Sequence, residues 1–287
     1  MALAAVAIWG TNFVVIKIAL GHLPPLLLAA LRFLFALLPA VFLLSRPAVA
    51  WSNLAAYGLL MGVGQFGLMF VAMKSDISPG LASLVIQTQV FFTIGLSIAL
   101  TGERVRGFQW VALALAIGGI VLIGTRSDGS ATLLGLAMVL LAALCWAGGN
   151  LMAKRAGQVN MLAYVVWSSM FAVVPLFALS WWFEGGEAIV SGLRSADAAT
   201  WAAVFWQSAG NTLFSSAVWG WLLARHPAAT VSPMALLVPV FGMAASAAWL
   251  GESLPAWKLA ACAMVLGGLA LNLLVPAGAA ALGARNA

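Results

Sequence analysis

The stretch WGTNFVVIK at residues 9–17 returns, altered but legible, as WAGGNLMAK at residues 146–154. Each opens on a Trp, runs through small residues to an Asn (Asn12, Asn150), and closes on a Lys eight residues after the Trp (Lys17, Lys154). Further along, Ser83, Phe92, Ser97, Gly102, Glu103, Gly118 and Gly119 recur without a gap as Ser232, Phe241, Ser246, Gly251, Glu252, Gly267 and Gly268. The chain is therefore an internal duplication. Each copy holds five apolar segments of membrane length. Because that number is odd, the second copy enters a bilayer from the side opposite to the first, and such inverted repeats place a ligand site near the midplane where they meet.

Composition agrees with a chain that lives in lipid. Hydrophobic residues make up 64% and charged residues 7% of the sequence, and the mean hydropathy is +1.09. That is too little charge to hydrate a soluble surface of this size. The expected spans are 3–20, 26–44, 51–73, 81–100, 107–124, 133–153, 161–183, 201–224, 228–250 and 257–275. Each is close to the roughly 20 residues a helix needs to cross the hydrocarbon layer. Alternation of period two is absent, which argues against a barrel. The expectation is an all-α membrane protein of ten transmembrane helices, with one repeat over residues 1–125 and its inverted copy over 126–287. The longest connection, 184–200, is too short for a separate soluble domain. The first segment has no basic residue before its apolar run and carries the repeat motif, so it reads as a retained helix rather than a leader.

The net charge of +6 is explained by where the charges fall. With the N-terminus inside, the cytoplasmic loops and tail hold Arg46, Arg104, Arg106, Lys154, Arg155, Arg225 and Arg285 against Glu103. The other side holds Lys74, Arg126, Arg194 and Lys258 against Asp76, Asp128, Glu184, Glu187, Asp197 and Glu252. This is the positive-inside bias, which puts both termini in the cytoplasm and removes the need for a nucleic-acid partner. Cys145 and Cys262 fall inside spans and His22 and His226 at span ends, without ligand spacing. No metal or cofactor is expected.

Functional residues are sought where polarity or helix breaks intrude on lipid-compatible helices. Pro233 and Pro239 interrupt the ninth span, Pro175 the seventh, and Gly58, Gly62, Gly64 and Gly67 crowd the third. Such breaks are tolerated where protein or water satisfies the freed backbone, although the glycines equally suit close helix packing. Asn12, Gln65, Gln87, Thr88, Gln89, Asn150, Gln207, Asn211, Thr212, Ser215 and Ser216 lie in the first, third, fourth, sixth and eighth spans. Intramembrane polar groups face the bundle interior, as interhelical glue or as a site. Trp9, Phe91, Trp146 and Trp206 accompany them, and apolar rings with a few amides are the ordinary make-up of a small-molecule pocket. The candidate binding residues are Trp9, Asn12, Gln65, Gln87, Phe91, Trp146, Asn150, Trp206, Asn211 and Pro239. Lys17 with Glu252, and Lys154 with Glu103, form two repeat-related charge pairs that are candidate gates. Arg32, inside the second span, has no repeat-related cation, since the matching position is near Ser169; it is an anchor to backbone carbonyls or part of an anion path. The fifth and tenth spans are nearly all aliphatic, with Ala114-xxx-Gly118 and Ala263-xxx-Gly267 as packing faces, and are placed at the periphery.

At Trp9-Gly10-Thr11-Asn12, Pro24-Pro25, Leu31-Arg32-Phe33, Gly80-Leu81-Ala82-Ser83, Gln87, Gln89, Phe91, Phe92, Cys145-Trp146, Gly149-Asn150 and Leu236-Leu237-Val238-Pro239-Val240, the chain resembles the drug/metabolite transporter superfamily and, within it, the EamA family. The pattern is similar to bacterial O-acetylserine/cysteine exporters and broad-range amino-acid exporters. The resemblance implies an inner-membrane exporter of amino acids and related small metabolites, embedded in lipid as a monomer or weak dimer. The alternatives are a carrier of phosphorylated metabolites or nucleotide-sugars, for which Lys17 and Arg32 are thin provision, and a non-transporting membrane subunit. An enzyme is disfavoured because no Asp, Glu or His lies at the centre of a span. The same absence leaves no central proton relay and points to exchange or facilitated diffusion. The topology has a direct check. Cysteines introduced as Asp128→Cys and Arg155→Cys are expected to react with an impermeant maleimide from opposite sides of the membrane, and reaction from one side would remove the inverted arrangement.

Overall fold

A computed structural model of the chain describes residues 1–101, 107–126, 128–226 and 232–285, nearly all of them helical. Helices α1 (Ala2–Ala19) and α2 (Pro25–Leu37) come first. Helix α3 joins Trp51–Gly58, a π-helical stretch Leu59–Gly67, and Leu68–Ser75. Helix α4 joins Pro79–Val85, a 3-10 turn Ile86–Thr88, and Gln89–Thr101. Next come α5 (Gly107–Gly124), α6 (Leu133–Ala156) and α7 (Met161–Phe183). Helix α8 joins Ala198–Phe205, a second π-helical stretch Trp206–Phe214, and Ser215–Arg225. Helix α9 joins the 3-10 turn Ser232–Leu237 to Val238–Leu250, and α10 runs over Ala256–Arg285.

Among the described residues eight helices are long and apolar enough to cross a membrane, and Met234–Leu250 within α9 is a shorter apolar helix. Helix α8 is not among the eight, although it is helical from 198 to 225. Its middle carries Gln207, Ser208, Asn211 and Thr212, which dilute its hydropathy. Other expectations also shift. The 184–200 connection contains a helix, Gly186–Ser195. Pro175 leaves α7 unbroken, whereas Pro39 stops α2 short of residue 44 and leaves a single turn, Ala40–Leu43. The 3-10 turn in α4 and the π stretch in α8 carry no proline signal. Gly102, Glu103, Arg104, Arg106 and Ala228 lie outside the described residues, as do the side chains of Ser216 and Pro233.

Hydrogen bonds between helix ends fix how the chain passes back and forth. At the far end, where α1 finishes, Lys17 Nζ donates to the carbonyls of Met73 and Lys74 at the end of α3, at 2.9 and 3.0 Å. There also Thr132 N, before α6, donates to Asp76 O at 2.8 Å, and Ser78 N, before α4, donates to Ser130 O at 2.7 Å. Glu184, after α7, accepts from Leu26 N and Leu27 N in the first turn of α2 at 2.6 and 3.1 Å, capping donors that the helix cannot satisfy itself. Thus α1, α3 and α7 finish where α2, α4 and α6 begin.

Packing between the halves follows a regular scheme. Helix α2 lies against α7, α5 against α10, α1 against α9, and α4 against α6. Exchanging each helix with its counterpart in the other half turns this set of pairs into itself. Glycines set the closest approaches. A Cβ on Gly10 would meet Phe241 Cβ at 2.5 Å and Val238 O at 2.6 Å. Between α5 and α10 the tight positions are Gly119, facing Ala261 O, and Gly268, facing Ala112 O. The face expected at Gly267 is open, with nothing within 4 Å of a built Cβ. Gly10→Val is therefore expected to lower stability by about 1–3 kcal/mol through overpacking, and Gly267→Ala to leave it unchanged. Thermal midpoints in detergent check both.

Candidate functional site

The two halves meet around a cavity of about 820 Å³. Its wall includes Tyr57 of α3, Gln109 of α5, Met161 of α7 and Leu273 of α10, so it reaches toward the near end of the bundle, where α1 starts. The far end is bound up by the lysine–carbonyl and loop contacts just described.

The repeated asparagines anchor the polar parts of this wall. Asn12 and Gln207 of α8 bond reciprocally, Gln207 Nε2 donating to Asn12 Oδ1 at 2.8 Å and Asn12 Nδ2 to Gln207 Oε1 at 3.3 Å. In the other half, Asn150 Nδ2 donates to Gln89 Oε1 at 2.9 Å and to Thr93 Oγ1 at 3.2 Å, tying α6 to α4. Gln87 Nε2 donates to Ala235 O in the 3-10 turn of α9 at 3.1 Å, satisfying a carbonyl that the break releases. Trp9 stacks at a tilt on Trp219, with centroids 4.9 Å apart.

Among the described residues of this wall, Arg32 is the charged one. It is 3% exposed. Nη1 donates to Gln207 Oε1 at 2.9 Å and Nε to Thr212 Oγ1 at 3.2 Å. The guanidinium lies 3.5 Å from the Phe66 ring centroid, a cation–π contact from the π stretch of α3. Its partners are thus neutral side chains rather than the backbone carbonyls expected of an anchor. A charge at the centre of a spanning helix costs about 2.5–3.5 kcal/mol on insertion scales, so these contacts offset a real penalty.

The EamA-like transporter family model matches residues 1–125 and again 133–274. The chain belongs to that family. A protein of Salmonella typhimurium named probable amino-acid metabolite efflux pump is 39% identical over 279 residues, spanning 95% of this chain and 93% of the relative. Its Escherichia coli namesake is 37% identical over the same extent. A crystal structure with 20% identity superposes with a TM-score of 0.67, covering 96% of this chain and 94% of that one, and supports the fold. The chain is a multi-pass membrane transporter rather than an enzyme.

Within this EamA-like frame, Trp9, Asn12, Gln65, Gln87, Trp146, Asn150 and Asn211 line the cavity. Three candidates stand elsewhere. Trp206 is 41% exposed on the outside of α8, Pro239 is buried behind the wall where α9 turns α-helical, and Phe91 lies 3.3 Å from a Cβ built on Gly268, in the packing of α4 against α10. Phe91 and Pro239 each adjoin a lining residue, Val90 and Val238, and so look equivalent to it in sequence. Helices α5 and α10 are expected at the periphery with little to offer a polar substrate, yet Gln109 and Asn272 reach the cavity. Gln207, Thr93 and Phe66 were not among the candidates; the first is signalled by its place among four polar residues in a span.

The expected Lys17–Glu252 gate is not formed. Lys17 is used by the α3 carbonyls, and Glu252 instead accepts from Ser78 Oγ, from Gly80 N at 3.1 Å and from Lys258 Nζ at 3.3 Å. Lys258, one residue into α10 past Trp257, is 1% exposed and also lies 3.9 Å from Asp128. Partial burial pushes the Asp128 carboxyl up, but the Ser130 donors and Lys258 outweigh it and hold the group below the usual carboxylate range. Glu103, partner of Lys154 in the second pair, is outside the described residues. Removing one member of a buried pair strands the other charge and costs about 3–5 kcal/mol. Glu252→Ala should therefore lower unfolding stability by about 3 kcal/mol, while Glu187→Ala, on an exposed connection, should not change it; thermal unfolding in detergent measures both.

Proposed function

We propose that the chain is an inner-membrane exporter of amino acids and related small metabolites that works by alternating access. The carrying observation is the cavity between the halves, lined by both copies of the repeated Trp and Asn (Trp9 with Asn12, Trp146 with Asn150). A site at the junction of two copies is what an inverted repeat provides. The opposite sense of α1 and α6, the exchange-symmetric packing and the doubled family match over residues 1–125 and 133–274 support two inverted five-helix repeats, 1–125 and 126–287, with α8 and α9 completing ten spans. Both termini are then cytoplasmic, and the reach of the cavity toward the near end makes this an inward-facing state.

The substrate class draws on the relatives named amino-acid metabolite efflux pumps. Trp9, Asn12, Gln65, Gln87, Trp146, Asn150 and Asn211 form the binding wall, with Phe91 and Pro239 packed behind it and Trp206 outside it. Transport proceeds as exchange or facilitated diffusion, because Asp, Glu and His do not contribute to the described wall. Purified protein in liposomes should give amino-acid counterflow with no pH gradient, and Trp9→Ala or Trp146→Ala should reorder the preferred amino acids without lowering protein abundance. Absence of counterflow across an amino-acid panel would overturn the proposal.

A further inference from the structure

We infer that Arg32, Gln65 and Asn211 clamp the head group of an α-amino acid zwitterion, the guanidinium taking the carboxylate and the two side-chain carbonyl oxygens taking the ammonium. The inference rests on the reading of the central cavity as the transport site and adds the chemistry by which that site selects its cargo.

Charge is the first argument. Arg32 is buried against neutral partners, Gln207, Thr212 and the Phe66 ring. Among the described residues no carboxylate lines the same cavity. A guanidinium in this setting lacks a counter-charge, and a carboxylate supplies one through charge-assisted hydrogen bonds. Arg32 lines the cavity, so an anion held there meets its guanidinium.

Unpartnered acceptors are the second argument. Among the described residues five buried polar atoms lack a hydrogen-bond partner: Gln65 Oε1, Ser168 Oγ, Asn211 Oδ1, Ser246 Oγ and Asn272 Oδ1. All but Ser246 line the cavity that Arg32 faces. Buried polar atoms are rarely left without partners, and a cluster of them demands an explanation. Gln65 and Asn211 are 3% and 6% exposed. Each sits in one of the two π-helical stretches, Leu59–Gly67 and Trp206–Phe214. π-Helical segments are frequent at functional sites, and here they fall on counterpart helices, one in each half.

The two sets of groups are complementary to one molecule. An ammonium donates to carbonyl oxygens, and a carboxylate accepts from a guanidinium. An amine without the acid would meet Arg32 as a like charge, and an acid without the amine would leave the Gln65 and Asn211 oxygens unsatisfied. A phosphate monoester would bring a second negative charge with no second cation among the described lining residues and no use for the acceptors. Met61, Trp146 and Trp219 give the same wall apolar surface that suits a side chain.

The test uses proteoliposomes of the full chain in counterflow with radiolabelled leucine and phenylalanine. Each is competed by itself, by its amide and by its desamino acid, 4-methylpentanoate or 3-phenylpropanoate. The wild-type protein should prefer the amino acid over both analogues by about tenfold or more. Arg32→Gln should lose the preference over the amide, with Arg32→Lys keeping part of it, and Gln65→Leu or Asn211→Leu should lose the preference over the desamino acid. Thermal midpoints report whether each variant is folded, and the wild-type competition series decides the matter even where a variant is not. Equal competition by amide, desamino acid and amino acid, or a folded Arg32→Gln protein with its preference intact, would overturn the clamp while leaving amino-acid transport standing. Absence of any counterflow in the wild type would instead remove the transport reading and the clamp with it.

Discussion

In hydrocarbon every backbone carbonyl and amide needs a partner inside the protein, because no water is present to supply one. The rest of this structure follows from how that requirement is met at mid-depth. Where α9 turns 3-10, Gln87 from the opposite half reaches across to Ala235 O. Where α8 widens into a π-helix, Thr212 Oγ1 donates to Gln207 O at 2.9 Å and Ser215 Oγ to Gly210 O at 2.9 Å. Both of these irregularities are held by polar side chains, and each such side chain must itself face protein or cavity rather than lipid. Polar groups and helix breaks consequently collect in one place, between the halves.

The two copies are alike in plan and unlike in charge. Asn12 and Asn150 both bind a glutamine on a neighbouring helix, but Gln207 lies on α8 and Gln89 on α4. Arg32 has a counterpart region around Ser169, whose hydroxyl simply donates back to Val165 O at 2.8 Å. A cation on one side of the cavity and a small neutral residue on the other give a substrate only one electrostatically favourable orientation. The far end shows the same division of labour. Lys17 secures α1 to α3 through carbonyls, and Lys258 secures α9 and α10 through Glu252. Two lysines thus hold the far end, where a single Lys17–Glu252 pair was expected.

Much of this was readable in the sequence because lipid leaves few choices. An apolar run of the right length is a helix, and a buried amide points inward. The cavity residues Trp9, Asn12, Gln65, Gln87, Trp146, Asn150 and Asn211 were found by that logic alone. What it missed depends on rotation about a helix axis. Trp206 is adjacent to Gln207, yet the turn of the helix sets one outward and the other inward. Gly267 and Gly268 differ in the same way, and spacing alone selected the wrong one as the contact. Hydrogen-bond competition was equally invisible: Lys17 and Glu252 share an end of the bundle, but nearer carbonyls and Lys258 claim them first.

The claim on which the account turns is that the amino acid occupies the cavity between the halves. With Cys145 and Cys262 replaced by Ala, a single Val165→Cys change places a thiol on the cavity wall. Its rate of reaction with a small maleimide in proteoliposomes, with and without saturating leucine or phenylalanine, reads occupancy directly. The account predicts that a transported amino acid slows labelling severalfold while its amide does not. Labelling unaffected by an amino acid that the same protein demonstrably transports would place the substrate elsewhere and contradict the account.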